Sequence, residues 1–169
     1  DLSTQKNEQI IKSLSEKIIK IGGKPNLKNE NQQSLIKDLT KQFDQLSVNF
    51  ILSDKSKNII KDEEIRGIKV RLQKVTDLPS KDLRKLVDNG KKEITEGIVM
   101  IFAIKDDKIG LAVGVTDKLI KKYDAVKFAK IGSEIVGGKG GGGRPDFAQA
   151  GGSLPGKIEE AFAKLKSLI

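Results

Sequence analysis

Glycine fills six of the seven positions from residue 137 to residue 143, and Lys139 is the exception. Such a run is costly in chain entropy, so it is tolerated where the backbone takes a positive φ or where another group approaches it closely. An apolar helical pattern over residues 125–136 leads into the run, and a C-cap glycine accounts for its first one or two positions. The remaining glycines predict a loop whose exposed N–H groups form a concave anion site.

The residues around the glycines favour phosphate as the anion. Lys139 supplies a mobile point charge, and Arg144 supplies a planar fork. A P-loop does not fit, because it requires Lys followed by Ser or Thr at the start of a helix. A dinucleotide fingerprint requires a strand before its glycines, whereas a helix precedes them here. A flexible linker is the remaining alternative. The predicted binding residues are Gly138, Lys139, Gly140, Gly141, Gly142, Gly143, Arg144 and Gln149.

Charge and composition narrow the function further. The chain has 169 residues and a net charge of +9, with neither His nor Cys. Residues 66–169 hold 21 Lys and Arg against 13 Asp and Glu, so the excess belongs to the C-terminal part. Such an excess favours a polyanion partner, although a lysine-rich surface that serves solubility is the alternative. Without His or Cys, thiol catalysis and serine triads are excluded, and we predict no catalytic residue and no metal site.

The N-terminal part reads as two amphipathic helices. Ile10, Leu14, Ile18 and Ile21 share one helical face, and a second stripe contains Ile36, Leu39, Phe43, Leu46 and Phe50. Gly22, Gly23 and Pro25 separate them, which predicts an antiparallel helical hairpin over residues 1–64. Its apolar stripe packs within the hairpin or also pairs with a second copy of the chain. Residues 54–65 are polar and read as a frayed helix end or a hinge.

A change of period marks a second domain, predicted over residues 65–169. Strand-like and helix-like segments alternate there, with Leu83, Leu86 and Val87 on one helical face behind an N-cap at Ser80. Residues 98–104 are almost continuously apolar, as in a buried strand, and residues 109–115 complete a hairpin with them. A helix over residues 157–169 ends the chain. The predicted fold is α+β: a helical hairpin, then a small globular domain with a mixed sheet flanked by helices.

Nothing in the sequence indicates a membrane segment. No apolar run approaches the roughly 20 residues that a membrane-spanning helix needs, and no signal peptide is visible. The absence of cysteine fits the cytoplasm, and an organelle matrix is the alternative.

The segment GGKGGGGRPDFAQAGG resembles the hallmark of the C-terminal domain of alanyl-tRNA synthetases. GIKVRLQKV, LRKLVDNGKKEI and GIVMIFAIKDDKIGLAVGVT match the same domain in order and spacing, so the resemblance covers about residues 66–169. The domain is also similar to the accessory domain of DHH-type phosphoesterases. In those proteins the glycines typically lead into a His, whereas Arg144 and Pro145 stand here, which favours binding over phosphodiester hydrolysis.

The resemblance implies a non-catalytic module that grips the outer corner of tRNA by shape and backbone and so supports aminoacylation and editing. ATP and magnesium would serve upstream domains, and this segment would need no cofactor. The partner would be tRNA, specific for alanine in the parent enzyme. A dimerisation or scaffolding module with little RNA contact is the alternative. Further candidate phosphate contacts are Lys69, Arg71, Lys74, Lys121, Lys122, Lys127 and Lys130.

Overall fold

A computed structural model describes residues 1–169, which form two compact units, Asp1–Ser53 and Asp54–Ile169. The first unit consists of α1 (Leu2–Lys20) and α2 (Gln32–Ser53). The second unit consists of β1 (Asn58–Ile65), β2 (Ile68–Thr76), α3 (Leu83–Ile94), β3 (Gly97–Lys105), β4 (Lys108–Val115), α4 (Ala125–Ile135), β5 (Gly141–Arg144), β6 (Phe147–Gly152) and α5 (Ile158–Lys166). This α+β order confirms the predicted fold class.

The two N-terminal helices are confirmed, but their antiparallel arrangement is wrong. Asn7 near the start of α1 hydrogen-bonds Gln32 at the start of α2, and Lys17 near the end of α1 lies over the ring of Phe43. The helices therefore run in the same direction. The eleven residues of the connection can reach up to about 36 Å, which exceeds the roughly 28 Å length of α1.

Side chains of α2 hold this returning connection. The Gln42 side chain donates to the Lys24 carbonyl at 2.7 Å and accepts from the Asn26 N–H at 3.1 Å, and Asn29 donates to Asp38. The sequence predicts a short turn because Gly22 and Gly23 end α1, but the chain beyond them runs extended along α2. Ile18, Leu35 and Leu39 form the small buried core of this unit.

Residues 58–65, predicted as a frayed helix end or a hinge, form the strand β1 instead. A two-residue turn at Arg66 and Gly67, both at positive φ, joins β1 to β2. The compact units accordingly divide at Ser53, before the predicted boundary at residue 64. Charged side chains at residues 61–64 interrupt the apolar alternation by which a strand is recognised in the sequence.

The six strands form one mixed sheet in the order β1-β2-β3-β4-β6-β5. Only β2 and β3 run parallel, and α3 connects them. Helices α4 and α5 pack on one face, where Phe102 meets Phe162 edge-on at 5.0 Å. Helix α3 covers the other face, with Gly90 against Val99 and Val87 against Gly114. The sheet is thus covered along β2, β3 and β4 and, by α4, along β6, while β1 and β5 form its two edges.

Ser80 does not cap α3 as predicted. It starts a 3-10 turn, Ser80–Asp82, and the helix begins only at Leu83 without a side-chain cap hydrogen bond. The predicted hairpin of residues 98–115 and the helices near residues 125 and 158 are confirmed.

Candidate nucleic-acid interface

The second half of the glycine segment forms an edge strand, whereas residues 137–140 remain irregular. Gly141–Arg144 is β5, and it pairs antiparallel with β6 through the turn at Pro145 and Asp146. All four residues of β5 are exposed. Because β5 has a partner on one side only, alternate N–H and C=O groups of this strand face outward. Backbone groups are therefore exposed here, but along a line rather than in a concave nest.

Ser133 on α4 fixes the start of this strand. Its side chain is fully buried, and its hydroxyl donates to the Gly151 carbonyl at 2.6 Å and accepts from the Gly140 N–H at 3.0 Å. The Ser133 carbonyl accepts from the Gly138 N–H at 2.7 Å. Two N–H groups that the sequence predicts to face a ligand are thus donated inside the chain. A serine on the apolar face of the 125–136 pattern was the signal for this role.

The structure explains why glycine is needed at most positions of the segment, with one exception. Gly140 has a φ of +93°, and a Cβ at Gly138 would overlap the Gly151 carbonyl oxygen and the Ser133 hydroxyl. Cβ atoms at Gly141 and Gly143 would overlap the backbone of β6, and Gly137 has a φ of +80°. Gly142 has neither a positive φ nor any heavy atom within 4 Å of a Cβ. Nothing inside the unit requires glycine at Gly142, so its lack of a side chain leaves the strand open to an outside group.

Gly142 and Gln149 share an exposed face of the β5–β6 hairpin. They are directly paired, as are Arg144 and Phe147 two residues along, on the same face. Paired residues project to the same face, and Phe147 contacts Arg84 of α3 with 5.0 Å between the guanidinium and the ring centre. The open face beside α3 therefore carries Gln149 and Arg144, while Phe147 is buried as the anchor of the turn.

Lys139 and Arg144 do not flank one site, because the whole of β5 separates them. Arg144 lies at the turn, two-thirds exposed, with Asp146 at 3.7 Å. Lys91 of α3 donates to the Asp146 carbonyl at 2.7 Å and brings a second positive charge to the same turn. Lys139 is exposed at the opposite end, before β5 begins. The two cations therefore suit two separate phosphates and not one.

Arg71 is not available as a surface phosphate contact. It is 8 % exposed, forms a bidentate pair with Asp62 at 2.9 and 3.0 Å, and also contacts Glu93 of α3. These carboxylates raise the pKa of Arg71, with the hydrogen bonds to Asp62 the largest cause, and hold the pKa of Asp62 below its usual value. Arg71 is thus a structural ion-pair residue.

No group of three or more carboxylates gathers where a metal ion would bind. No helix is long and apolar enough to cross a membrane.

Residues 67–169 match the DHHA1 domain family. The chain is 44 % identical to an alanine–tRNA ligase of Parvibaculum lavamentivorans over 108 residues, which are 63 % of this chain and 12 % of that protein. It is also 44 % identical to the alanine–tRNA ligase of Bradyrhizobium diazoefficiens over 104 residues, 61 % of this chain and 12 % of that protein. The chain therefore spans a small part of these relatives.

Among solved structures, the chain resembles the C-Ala domain of Aquifex aeolicus alanyl-tRNA synthetase. The TM-score is 0.60 at 30 % identity, and the match covers 64 % of this chain and 96 % of the Aquifex domain. The resemblance inferred from the glycine segment is thereby confirmed.

Proposed function

Since the chain belongs to the DHHA1 domain family, we propose that it is a tRNA-binding, non-catalytic C-terminal part of an alanyl-tRNA synthetase. The parent protein would join alanine to tRNA with ATP and magnesium in domains upstream, in the cytoplasm or an organelle matrix. This segment would contribute a grip on the folded tRNA that does not depend on a cofactor.

The observation that carries the proposal is the bare β5–β6 edge at Gly142. An RNA backbone or sugar edge can approach this strand closely, because no side chain projects from Gly142. Outward backbone groups of β5 and the Gln149 amide then offer donors and acceptors, and Arg144 offers a fork for phosphate. Gly138 and Gly140 shape the strand, and Lys139 adds charge at its far end.

Such a surface recognises shape and backbone rather than base sequence. Phe147, the aromatic residue nearest the segment, is buried, so stacking by that ring on an unpaired base is not available. The module alone should therefore bind different folded tRNAs with similar affinity. Discrimination of tRNA identity would belong to other parts of the enzyme.

The direct test is a titration of the full chain with a folded tRNA transcript at two salt concentrations. We expect binding that weakens as salt rises, because phosphate contacts release counterions. Arg144→Ala should weaken binding by about three- to tenfold, and Lys139→Ala should weaken it less. The matched control replaces Lys6 and Lys12 on α1 with Ala. Equal losses from the control pair would mean diffuse charge without a site, and absence of binding at low salt would overturn the proposal.

A second candidate function, self-association, is favoured by the surface of the helical pair. Ile19, Leu27 and Phe50 are each at least 57 % exposed there. Two copies that share this surface would bury these side chains. Sedimentation across a range of concentrations tests it: the wild type should dimerise and Phe50→Ser should shift it towards monomer. A strictly monomeric wild type would exclude this function.

A further inference from the structure

A groove lined by charged and hydroxyl-bearing residues lies at the end of the sheet where Arg144 is found. It has a volume of about 490 Å³ and is formed where α3 ends, β3 begins and β4 ends. Three lysines, two threonines and two carboxylates line it: Lys91, Lys92, Lys118, Thr95, Thr116, Glu96 and Asp117. The hydrogen bond from Lys91 to the Asp146 carbonyl links this groove to the turn that carries Arg144.

The charged side chains of the groove do not neutralise one another. No ion pair within 4 Å joins Lys92 or Lys118 to Glu96 or Asp117, although both signs face the same space. Lys91 and Lys92 also complement the C-terminal end of α3, but Lys118 belongs to the turn after β4 and has no such role. The groove thus offers two lysines and two carboxylates that are not paired with one another.

The two threonines add directed hydroxyl groups. The Thr116 hydroxyl accepts from the Gly97 N–H at 2.9 Å, so its own proton remains to donate to another acceptor. Thr95 ends α3 with φ 67° and ψ −55°. A β-branched residue rarely takes a positive φ, and glycine would take it without strain. The chain keeps a hydroxyl-bearing side chain in the lining of the groove despite this conformation.

We propose that this groove binds the sugar–phosphate backbone of RNA, as a second contact continuous with Arg144. The inference rests on the proposed function and deepens it. Lys92 and Lys118 contact phosphate oxygens. The Glu96 and Asp117 carboxylates accept hydrogen bonds from ribose 2′-hydroxyls. An isolated anion would bind weakly here, because two carboxylates lie beside the lysines. An RNA backbone alternates phosphates with hydroxyl donors, so it can contact both the lysines and the carboxylates. The 2′-hydroxyl is also the group that separates RNA from DNA.

The first arm of the test measures charge. The full chain, Lys92→Ala/Lys118→Ala, and the control Lys105→Ala/Lys108→Ala are titrated with a folded tRNA transcript at several salt concentrations. The control lysines are also exposed, but they lie at the β3–β4 turn, at the opposite end of these strands. We expect the groove variant to bind about tenfold more weakly and to lower the salt slope by about one to two, since each lost phosphate contact removes roughly 0.9. The control should change neither.

The second arm measures the hydroxyl contact. The probe is a tRNA pool with random 2′-deoxy substitution, from which bound molecules are separated and mapped. The wild type should disfavour deoxy substitution at a few positions, and Glu96→Gln/Asp117→Asn should lose that preference at those positions.

The outcomes separate this inference from the proposed function. If the groove variants bind and titrate like the wild type while Arg144→Ala weakens binding, the groove proposal is overturned and the proposed function stands. Equal losses from the groove and control lysine pairs would also overturn it. If the wild type does not bind tRNA at all, the proposed function fails first. Thermal unfolding of each variant excludes loss of fold as the cause.

Discussion

The two edges of the sheet are built in opposite ways. The edge strand β1 has eight residues, and its central side chains are charged: Lys61, Asp62, Glu63 and Glu64. The edge strand β5 has four residues, of which three are glycine, and all are exposed. Exposed edges attract unwanted strands, and natural proteins protect them with charges. One edge is thus closed by side chains, while the other is left bare.

Ion pairs hold the β1 edge in place. Asp62 pairs with the buried Arg71, and Glu63 contacts Lys61 at 3.1 Å and Lys166 of α5 at 3.3 Å. The β5 edge is held instead by Ser133 of α4, whose hydroxyl accepts a hydrogen bond from the Gly140 N–H just before the strand. The contrast indicates that β1 contributes stability, whereas the outer side of β5 carries almost no side chains.

The largest expected effect is the loss of stability on adding a side chain at Gly138, just before β5 begins. Gly138→Ala places a methyl group where the Gly151 carbonyl and the Ser133 hydroxyl already lie. The fold should lose about 3 kcal/mol, at the upper end for overpacking. Urea unfolding measures the loss. The matched control is Gly156→Ala, at an exposed position with nothing within 4 Å of a Cβ; a comparable loss there would contradict the assignment.

Loss of the ion pairs between Arg71 and the carboxylates of Asp62 and Glu93 should lower the free energy of unfolding by a smaller amount. Arg71→Met leaves Asp62 and Glu93 half-exposed and hydrated, so we expect a loss of about 2 kcal/mol from charged hydrogen bonds. Binding to tRNA should be unchanged where the variant is folded. A variant of normal stability with weakened binding would show that Arg71 contacts phosphate after all.

A smaller effect should follow from pH. Arg71 hydrogen bonds hold the pKa of Asp62 below its usual value, and contacts with Lys61 and Lys166 do the same for Glu63. A carboxyl with a lowered pKa stabilises the fold above its unfolded pKa, and that stability is lost as the pH falls through the folded pKa. The free energy of unfolding should therefore drop between about pH 5 and pH 2, by no more than about 1 kcal/mol for the half-exposed Asp62. In Asp62→Asn this part of the drop should vanish. If the free energy of unfolding kept the same pH dependence, the stabilising role of the Asp62–Arg71 ion pair would be contradicted.

Most helices and the central strands are predictable from the sequence because their apolar periods reflect burial. The strand β5 is not, since glycine has low β-propensity and this strand exists through its pairing with β6 and its anchor at Ser133. The strand β1 cannot be predicted from its local sequence either. Its charges suit an edge only when Arg71 of the neighbouring strand, nine residues from Asp62, and the distant Lys166 of α5 lie beside it.

The direction of the N-terminal helices is also beyond local reasoning. Gly22 and Gly23 show where α1 ends, but the path of the next residues depends on the Gln42 side chain bonding to Lys24 and Asn26. At the candidate site, the residue types are evident from the sequence. Their separation along β5 is not, because a glycine run reads as a loop until its partner strand is known.

Gly142 lacks a side chain although nothing within its own unit requires glycine there, and in the proposed function an external partner occupies this space. The decisive measurement is the affinity of Gly142→Val for a folded tRNA transcript, beside its stability and the control Gly156→Ala. A valine suits an exposed edge strand, so stability should stay within about 0.5 kcal/mol of the wild type or rise slightly. Affinity should fall about tenfold or more, while the control binds normally. A stable Gly142→Val protein that binds tRNA as tightly as the wild type would contradict the account.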